Sequence, residues 1–411
     1  MVPLIPIKIA ILARTCALSD NVILRAYVGT FELRGQSAGI HTIRFDPSNG
    51  EIALDGTTSV GNPSHLAVAG KRGLLFAAAH SAKFEGEPGG AVIAFQIDPH
   101  TGGLTRVNHQ IVPFPHPNYI VIDREERLIL TTAGIGGGVS AFPVENNSVG
   151  VASTNLFAEG QPLLKLGEVL GDVSREEFMA RRLLSTSPHA VMFDPSNRFA
   201  VVMDAGTNRL LLYAVDHAQG KLALRQTLAI KTAGAAPRHA VFHPNGNVLF
   251  VVNEGNSTVT LYSFDNREGR FSEGQTYPAL PADRVRGNAM GDIKIDREGR
   301  FLYCSNRGDE SITVFAVLNE GQDLKWIETT PCQGEHPRGM SLSPDGRFLL
   351  VANQGPTWQI DRDAELGSSD AGVSVFAIDS GSGRLTYTGV SLQIDSATCV
   401  AFNSYNDVGR G

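Results

Sequence analysis

The stretch Ser187–Val215, SPHAVMFDPSNRFAVVMDAGTNRLLLYAV, decides the fold of this chain. It contains three short apolar runs, which are separated by a polar turn at Asp194–Arg198 and a polar tip at Asp204–Asn208. Short apolar runs bounded by turn residues, with hardly any helical period, are typical of antiparallel β-strands. The stretch is therefore predicted to form three consecutive strands of one sheet.

The same unit recurs along the chain, and its most regular part is a turn between two strands. Seven times, an apolar run ends in a short turn, usually with Gly, that is followed by another apolar residue. The Asp, Asn, Ser and Gly of these turns tolerate the dihedral angles of tight hairpins. Successive copies lie about 50–70 residues apart, at the upper end of the period of four-stranded blades. The copies are Ile43–Ile52, Phe95–Leu104, Phe142–Val151, Tyr213–Leu222, Tyr262–Phe271, Phe315–Leu324 and Phe376–Leu385.

Seven units of four antiparallel strands predict an all-β fold, a seven-bladed β-propeller. A β-sandwich or a tandem array of immunoglobulin-like domains is the alternative, but neither repeats at this length with the same turn. Strand Ile23–Val28 and strand Ala397–Ser404 lie at the two ends of the chain, and pairing them in one blade would close the ring without exposed edges. The predicted domains are an N-terminal extension, the propeller and a C-terminal tail, over residues 1–22, 23–404 and 405–411.

Three segments do not follow the blade rhythm. Residues 152–187 are predicted to form an insertion, in which Ser174 and Glu177 make a capping box ahead of a short helix at Phe178–Leu184. The other two are predicted to be polar surface loops, 272–290 and 355–371.

Composition excludes several classes of partner. The chain has 411 residues and a net charge of −7, without a long run of one sign, so neither nucleic acid nor an anionic membrane is an expected partner. The first 18 residues are apolar but too short and too interrupted to span a bilayer, and they are interpreted as an extension rather than a signal peptide. The four scattered cysteines indicate thiols in a reducing compartment, so the protein is predicted to be cytoplasmic.

Aligning the repeats predicts rings of residues around the propeller axis. The first ring opens the first strand of each unit, and the second follows 15 residues later, at the same edge of the hairpin. The first ring is Ser64, Asn118, His189, Arg238, Gly291 and Arg338. The second is Ala79, Ala133, Asp204, Asn253, Asn306 and Asn353. The residues that follow the second ring are His80, Gly134, Ala205, Glu254, Arg307 and Gln354.

If these positions served only the fold, they would hold similar residues in every blade. Instead, ionisable residues occupy them in some blades only. Three arginines, one carboxylate and one imidazole would converge on one mouth of the channel and form an anion-binding pocket with its own acid and base groups. The residues are His189, Arg238, Glu254, Arg307 and Arg338. Glu254 with Asp204 and Asp292 could ligate a divalent cation, but the neighbouring arginines already neutralise the acids, so no metal is predicted.

A structural interpretation stands beside each of these assignments. Arg238 and Arg307 could form a purely structural network with Glu254, because a buried arginine needs an anionic partner. Arg338 could pair with Glu335. His239 follows a ring position and is expected to point away from the axis. The ring asparagines could hydrogen-bond the turns between blades rather than a ligand; they are Asn253, Asn306 and Asn353.

Several long motifs resemble the lactonase family of seven-bladed propellers, which includes cycloisomerase-2-type 6-phosphogluconolactonases and the fungal 3-carboxy-cis,cis-muconate lactonising enzymes. The opening motif is Tyr27-Val28-Gly29-Thr30. The others are SPHAVMFDP, PRHAVFHPNGNVLFVVNE, SNRGDESITVF and HPRGMSLSPDGRFLLVANQ, and the resemblance covers about residues 24–403. The N-terminal extension and the insertion before His189 depart from the family pattern and leave the substrate open.

The resemblance implies a lactone hydrolase of carbohydrate metabolism that opens a small anionic sugar lactone without a metal or another cofactor, as in the pentose phosphate pathway. The catalytic set carried over from the family motifs is His189, Arg238, Glu254 and Arg307, with Arg338, Asn253 and Asn306 predicted to bind the substrate. Either His189 or Glu254 would be the general base. The alternatives are a muconate-type lactonising cycloisomerase and a non-catalytic propeller that binds a partner. The sequence does not distinguish a monomer from a dimer.

Overall fold

A computed structural model describes residues 23–31, 39–134, 137–157, 186–356 and 370–403 of the chain. The fold is all-β, and seven sheets of antiparallel strands form a seven-bladed propeller, as predicted. The innermost strands of successive blades contact one another in a closed ring around the axis. Any chemistry placed on these strands therefore meets at the centre of the molecule.

Each blade is a meander of four main strands. The strands are given from the axis outwards. Blade 1 consists of Ala397–Phe402, Leu24–Thr30, Gly39–Phe45 and Ile52–Ser59, and blade 2 of Pro63–Ala69, Leu74–Ala79, Gly90–Ile97 and Leu104–Val112. Blade 3 consists of Pro117–Ile122, Leu128–Ala133, Gly138–Glu145 and Thr154–Phe157, and blade 4 of Pro188–Phe193, Phe199–Asp204, Arg209–Asp216 and Lys221–Ala229. Blade 5 consists of Pro237–Phe242, Val248–Asn253, Thr258–Asp265 and Arg270–Pro278, and blade 6 of Ala289–Ile295, Phe301–Arg307, Ser311–Leu318 and Asp323–Pro331. Blade 7 consists of Pro337–Leu342, Phe348–Asn353, Gly372–Ile378 and Leu385–Leu392.

The remaining described elements are short. Ser148–Val149 also pairs with the third strand of blade 3, and Lys83–Phe84 pairs with Glu87–Pro88 in a small hairpin. Three single-turn 3₁₀ helices lie in connections, at Gly70–Arg72, Ala282–Arg284 and Asn319–Gly321. None of the helices in the described ranges has the length and the apolar composition needed to cross a membrane.

The ring closes through blade 1, in which the two ends of the chain meet. Strand Ala397–Phe402 supplies the innermost strand and pairs antiparallel with Leu24–Thr30. The closing blade packs on blade 7 through Phe45, whose ring lies 5.6 Å from Phe348. Within blade 1 the Phe45 ring also contacts that of Phe402, at 5.3 Å. Closure by pairing of the terminal strands is therefore confirmed, while residues 1–22 and 404–411 lie outside the described part of the chain.

Six of the seven recurring turns join the third strand of a blade to its outer strand, and in blade 3 the turn leads first to the short strand Ser148–Val149. In four of them an aspartate at the first turn position accepts a hydrogen bond from the backbone N–H two residues later, which stabilises the tight reversal. These aspartates are Asp46, Asp98, Asp216 and Asp265. The repeat found in the sequence thus marks the outer rim of the propeller.

Two of the segments that were predicted to depart from the blade repeat partly follow it. Thr154–Phe157, within the predicted insertion, pairs with Gly138–Glu145 as the outer strand of blade 3. Arg270–Pro278 is the outer strand of blade 5, so the prediction of a loop from residue 272 onwards was wrong over that strand. Outer strands alternate polar and apolar residues because one face meets solvent, which weakens their signal. The predicted helix at Phe178–Leu184 and most of the loop at 355–371 lie outside the described residues.

The chain enters five of the seven innermost strands in the same way. The residue before the strand has a positive φ, in the left-handed region that non-glycine residues adopt uncommonly. These residues and their φ values are Asn62 (49°), His116 (58°), Ala236 (53°), His336 (56°) and Ser396 (57°). Since the backbone is alike at these entries, differences between blades at the axis come from the side chains.

Candidate active site

Every innermost strand carries a β-bulge near its start. In blade 4, Pro188 pairs with Asp204 and Ala190 with Met203, so that His189 is left between them. A bulge re-aims the side chain of the extra residue. The other bulged residues are Ser64, Asn118, Arg238, Arg338 and Thr398, together with Gly291 and Asp292 in blade 6. Apart from Gly291, all of them line one cavity of about 100 Å³ on the axis.

The predicted first ring is thus present, and the structure extends it to all seven blades. Thr398 is the seventh member, which sequence alignment missed because its blade is completed by strands from the other end of the chain. Among the residues that directly follow the bulges and line the same cavity, three carry rings: His65, Tyr119 and His239. The expectation that His239 points away from the axis was wrong, because the bulge at Arg238 interrupts the alternation of the strand.

These neighbouring residues form a layer of aromatic and imidazole rings. His65 stacks on Tyr119 with 4.0 Å between ring centroids, and His239 lies 5.0 Å from Tyr119 and 5.2 Å from His189. Burial lowers the pKa of His65 and of His239 to about 3. Since a lowered pKa favours the neutral form, both imidazoles are uncharged near neutral pH.

Arg238 is the most deeply buried cation of the cavity, with 1% of its surface exposed. Its Nη1 donates to the Gly291 carbonyl at 2.5 Å and to His239 Nε2 at 3.2 Å. Its Nε is buried without a hydrogen-bond partner among the described residues. Burial, followed by repulsion from Arg307, lowers the pKa of Arg238 below its usual value, although the Glu254 carboxylate opposes this shift. The guanidinium therefore favours an additional anionic partner.

Gly291 is required at its ring position by a close approach. A Cβ there would lie 2.5 Å from Ser305 Oγ and 2.7 Å from the Pro337 carbonyl oxygen, which is too short for real contacts. Because Gly291 has no side chain, the backbone of blade 6 can come close to Pro337 of blade 7. The Gly291 carbonyl is then placed to accept from Arg238 of blade 5.

Glu254 and Arg307 form a buried ion pair beside the cavity rather than in its lining. Arg307 Nη2 donates to Glu254 Oε1 at 2.5 Å, and each residue is 5% exposed. Arg307 also donates to the backbone carbonyls of Met290 at 2.8 Å and Ala289 at 3.3 Å. The structure thus contains the predicted Arg–Glu contact, and Arg238, the second arginine of that prediction, lies within electrostatic range of the pair.

Arg338 lines the cavity on the side of blade 7. Its guanidinium lies 4.6 Å from the centroid of the Phe31 ring, and Nη1 donates to Gln354 Oε1 at 3.4 Å. His80 contacts Phe31 at 4.9 Å between ring centroids and His116 at 4.6 Å. Burial, together with His116 and Arg338, lowers the pKa of His80 to about 3. A lowered pKa favours neutral His80, so among the described residues Arg338 is the charged group at this side of the cavity.

The two asparagines predicted to bind the substrate are directed into their own blades. Asn253 Nδ2 donates to the hydroxyls of Thr258 and Thr260, both at 2.9 Å. Asn306 Nδ2 donates to Ser311 and Thr313 at 3.1 and 3.0 Å. Neither lines the cavity. Their bonds hold the hairpin of their own blade, which differs both from substrate binding and from the alternative of contacts to the turns between blades.

The charged groups in and around the cavity are unbalanced. Among the described residues, the lining carries the cations Arg238, Arg338 and Lys294 against the carboxylate of Asp292, and the adjacent Arg307–Glu254 pair adds one charge of each sign. Among the residues that the structure describes, no group of three His, Cys, Asp or Glu side chains is placed to hold a metal ion. The arrangement is suited to a small anionic molecule that is polarised by guanidinium groups.

Known proteins match this chain over most of its length. The family model described as lactonase, 7-bladed beta-propeller matches residues 25–402. A 6-phosphogluconolactonase from Bacillus subtilis is 27% identical over 377 residues, which are 92% of this chain and 97% of the relative. A 6-phosphogluconolactonase from Formosa agariphila is 28% identical over 80% of this chain and 89% of its own. The periplasmic gluconolactonase of Pseudomonas aeruginosa has the same fold, with a TM-score of 0.78 at 24% identity over 92% of this chain and 99% of that one.

Proposed function

Because this chain belongs to the lactonase family of seven-bladed β-propellers, we propose that its axial cavity hydrolyses a small anionic sugar lactone of the 6-phosphogluconolactone type. The observation that carries the proposal is the buried guanidinium of Arg238. It lies in a cavity with an excess of cations, and its Nε has no partner among the described residues. A lactone gains negative charge on its carbonyl oxygen as water attacks, and a preorganised donor stabilises that charge.

In this proposal Arg238 donates a hydrogen bond to the carbonyl oxygen of the lactone. Arg307, which lies beside the cavity, adds positive charge near Arg238 without lining the cavity. His189 is the general base, because its side chain belongs to the cavity lining. Glu254 is the weaker candidate, since its Oε1 accepts a hydrogen bond from Arg307 at 2.5 Å and a paired carboxylate is less basic. The ion pair of Glu254 and Arg307 then sets the charge around Arg238 rather than moving a proton.

The reaction proceeds without a covalent enzyme intermediate. His189 takes a proton from water while the oxygen of that water forms a bond to the carbonyl carbon. Arg238 stabilises the resulting oxyanion. The bond between the carbonyl carbon and the ring oxygen then breaks, and the ring oxygen takes up the proton from His189. The product is an open-chain hydroxy acid, whose carboxyl group releases one proton to solvent.

A direct assay tests the proposed reaction. The wild-type protein is mixed with freshly prepared 6-phosphogluconolactone and with unphosphorylated gluconolactone, and acid release is followed against the spontaneous rate. Turnover above that rate on either lactone supports the hydrolase. Rates at the spontaneous level on both lactones would reject it, and a muconate-type lactone would then be the next substrate to test.

We predict that Arg338 distinguishes the two lactones. Replacing it with alanine removes the charged group at the blade 7 side of the cavity, where the phosphate of the substrate would bind. A hydrogen bond to a charged group contributes about 1.5–3 kcal/mol, so kcat/KM for 6-phosphogluconolactone should fall by roughly 10–100-fold. Hydrolysis of unphosphorylated gluconolactone should change little, and Arg338→Lys should recover part of the loss. An equal loss on both lactones would contradict a phosphate-specific role.

We also propose that the protein works in the cytoplasm. The three cysteines in the described ranges, Cys304, Cys332 and Cys399, are buried free thiols, and burial raises the pKa of each. Buried thiols of raised pKa react slowly and suit a reducing compartment. Fractionation of cells that express the full chain checks this assignment, and recovery of the protein outside the cytoplasmic fraction would contradict it.

A further inference from the structure

Asp292 is a buried carboxylate of the cavity to which the proposed reaction assigns no role. It is 5% exposed and is one of the two bulged residues of blade 6. Both of its oxygens accept hydrogen bonds from two donors. Oδ1 accepts from His239 Nδ1 and from the Ile293 N–H, both at 2.9 Å. Oδ2 accepts from Lys294 Nζ at 2.7 Å and from the Met340 N–H at 2.9 Å. The carboxylate thus has two donors at each oxygen, which occupies its acceptor positions.

These contacts determine which nitrogen of His239 carries the proton. Because the carboxylate of Asp292 can only accept, Nδ1 of His239 must be the protonated nitrogen. Nε2 then has a lone pair and faces Arg238 Nη1 at 3.2 Å. A guanidinium can only donate, so the contact is a hydrogen bond from Arg238 to His239. The three residues form a continuous chain of hydrogen bonds that ends at the guanidinium of the proposed catalytic arginine.

We propose that Asp292 and His239 are positioning residues that hold the guanidinium of Arg238 in its catalytic orientation. This inference rests on the proposed lactone hydrolysis. Nη1 of Arg238 is held by His239 and by the Gly291 carbonyl, which lies directly before Asp292 in the same bulge. With Nη1 held on one side, the opposite edge of the guanidinium, which includes Nε, is directed to the substrate. The bulge of blade 6 therefore supplies both anchors of the arginine in blade 5.

We call the chain of hydrogen bonds from Asp292 through His239 to Arg238 the relay. Asp292→Asn is the substitution that tests it, because it keeps the shape of the side chain. Each oxygen of Asp292 receives two donors, so the new NH₂ group must face donors whichever way the amide turns. If it faces His239, the imidazole must move its proton to Nε2 in order to accept at Nδ1. Nε2–H would then face the donor of Arg238 and push the guanidinium out of place. A wrong histidine tautomer behind an intact geometry is known to cost much of the activity of serine proteases.

The decisive experiment is a double-mutant cycle between Asp292→Asn and Arg238→Ala, with hydrolysis of 6-phosphogluconolactone as the readout. In the wild-type background Asp292→Asn should lower kcat by roughly 10–100-fold, the usual cost of removing a supporting partner, with little change in KM. In the Arg238→Ala background it should cause no further loss, since the relay acts only through that guanidinium. The same fold loss in both backgrounds would overturn the proposal.

A matched control separates positioning from a general loss of stability. Asp123 is another buried carboxylate that contacts a histidine, with Oδ2 3.3 Å from His217 Nδ1. It lies in the turn between the two inner strands of blade 3 and does not line the axial cavity. Asp123→Asn should lower the denaturation temperature without changing kcat. A loss of kcat in Asp123→Asn equal to that of Asp292→Asn would mean that any buried carboxylate produces the effect, which overturns the relay.

The tautomer of His239 can be measured without any turnover. Nitrogen-15 NMR of the imidazoles distinguishes protonated from unprotonated ring nitrogens, and comparison with His239→Gln identifies the signal. The wild type should carry the proton on Nδ1, and Asp292→Asn should move it to Nε2. A wild-type proton on Nε2 would overturn the relay even if lactones are hydrolysed. Conversely, a wild type that hydrolyses no lactone but carries the proton on Nδ1 would reject the proposed reaction and leave the hydrogen-bond chain standing.

Discussion

Replacing Arg238 with alanine is expected to lower kcat for 6-phosphogluconolactone by about 10²–10³-fold, the cost of removing one donor to a developing oxyanion. The physical reason is the position of the guanidinium. It is 1% exposed, it lines the axial cavity, and its Nε has no partner among the described residues. A preorganised guanidinium stabilises the charge that develops on the carbonyl oxygen more strongly than it stabilises the neutral ground state. Initial rates of acid release, corrected for spontaneous hydrolysis, measure the loss.

Arg347→Ala is the matched control for this variant. Arg347 also donates to a backbone carbonyl of a neighbouring blade, that of Pro47, but it is exposed and far from the cavity. Its removal should leave kcat unchanged. Arg238→Lys should recover only part of the activity, because an ammonium group cannot donate in the planar geometry of a guanidinium. An Arg238→Ala enzyme with an unchanged rate would remove Arg238 from the proposed reaction.

Replacing Arg307 with alanine is expected to lower the free energy of unfolding by about 3–5 kcal/mol. Arg307 Nη2 and Glu254 Oε1 are 2.5 Å apart, and each residue is 5% exposed. Removing the arginine leaves the carboxylate of Glu254 buried without its counter-charge, and two backbone carbonyls lose their donor as well. Denaturant titration followed by circular dichroism measures the change. The same variant should lose activity, but Arg238 is the cleaner probe of catalysis because Arg307 also supports the fold.

Glu254, the other residue of the ion pair, provides the control for this prediction. In Glu254→Gln/Arg307→Ala the carboxylate that lost its partner is also neutralised, so part of the stability should return. A surface pair of similar length, Arg384 and Glu328 at 2.6 Å, should contribute no more than about 1 kcal/mol, since Arg384 is largely exposed to solvent. If Arg384→Ala destabilised the protein as much as Arg307→Ala, burial of the ion pair would not be the cause.

Much of the candidate site could be predicted because a propeller repeats its geometry. The innermost strand of every blade opens at the same end of the axis, so aligned positions in the sequence become neighbours in space. That is why His189, Arg238 and Arg338 could be placed in one cavity. The same alignment put Glu254 and Arg307 at the ends of the second strands of adjacent blades, which is why their contact could be considered as a structural alternative.

The errors of sequence reasoning came from a β-bulge and from side-chain contacts that a sequence does not show. Strict alternation along a strand would turn His239 away from the axis, but the bulge at Arg238 brings both residues to the cavity. Asp292 was weighed only as a metal ligand, because a sequence does not show that four donors converge on one carboxylate. Asn253 was assigned to the substrate, but its amide donates to two threonines of its own blade.

The sequence by itself determined the number of blades, the turns of the outer rim and the end of the axis at which the ionisable residues gather. These properties depend on local chemistry that recurs seven times, namely short apolar runs, turn residues and a constant spacing. Only the tertiary structure decided which side chains share the cavity and which donor meets which acceptor. Those contacts join different blades across β-bulges, so they depend on how seven sheets pack around one axis and not on any stretch of sequence alone.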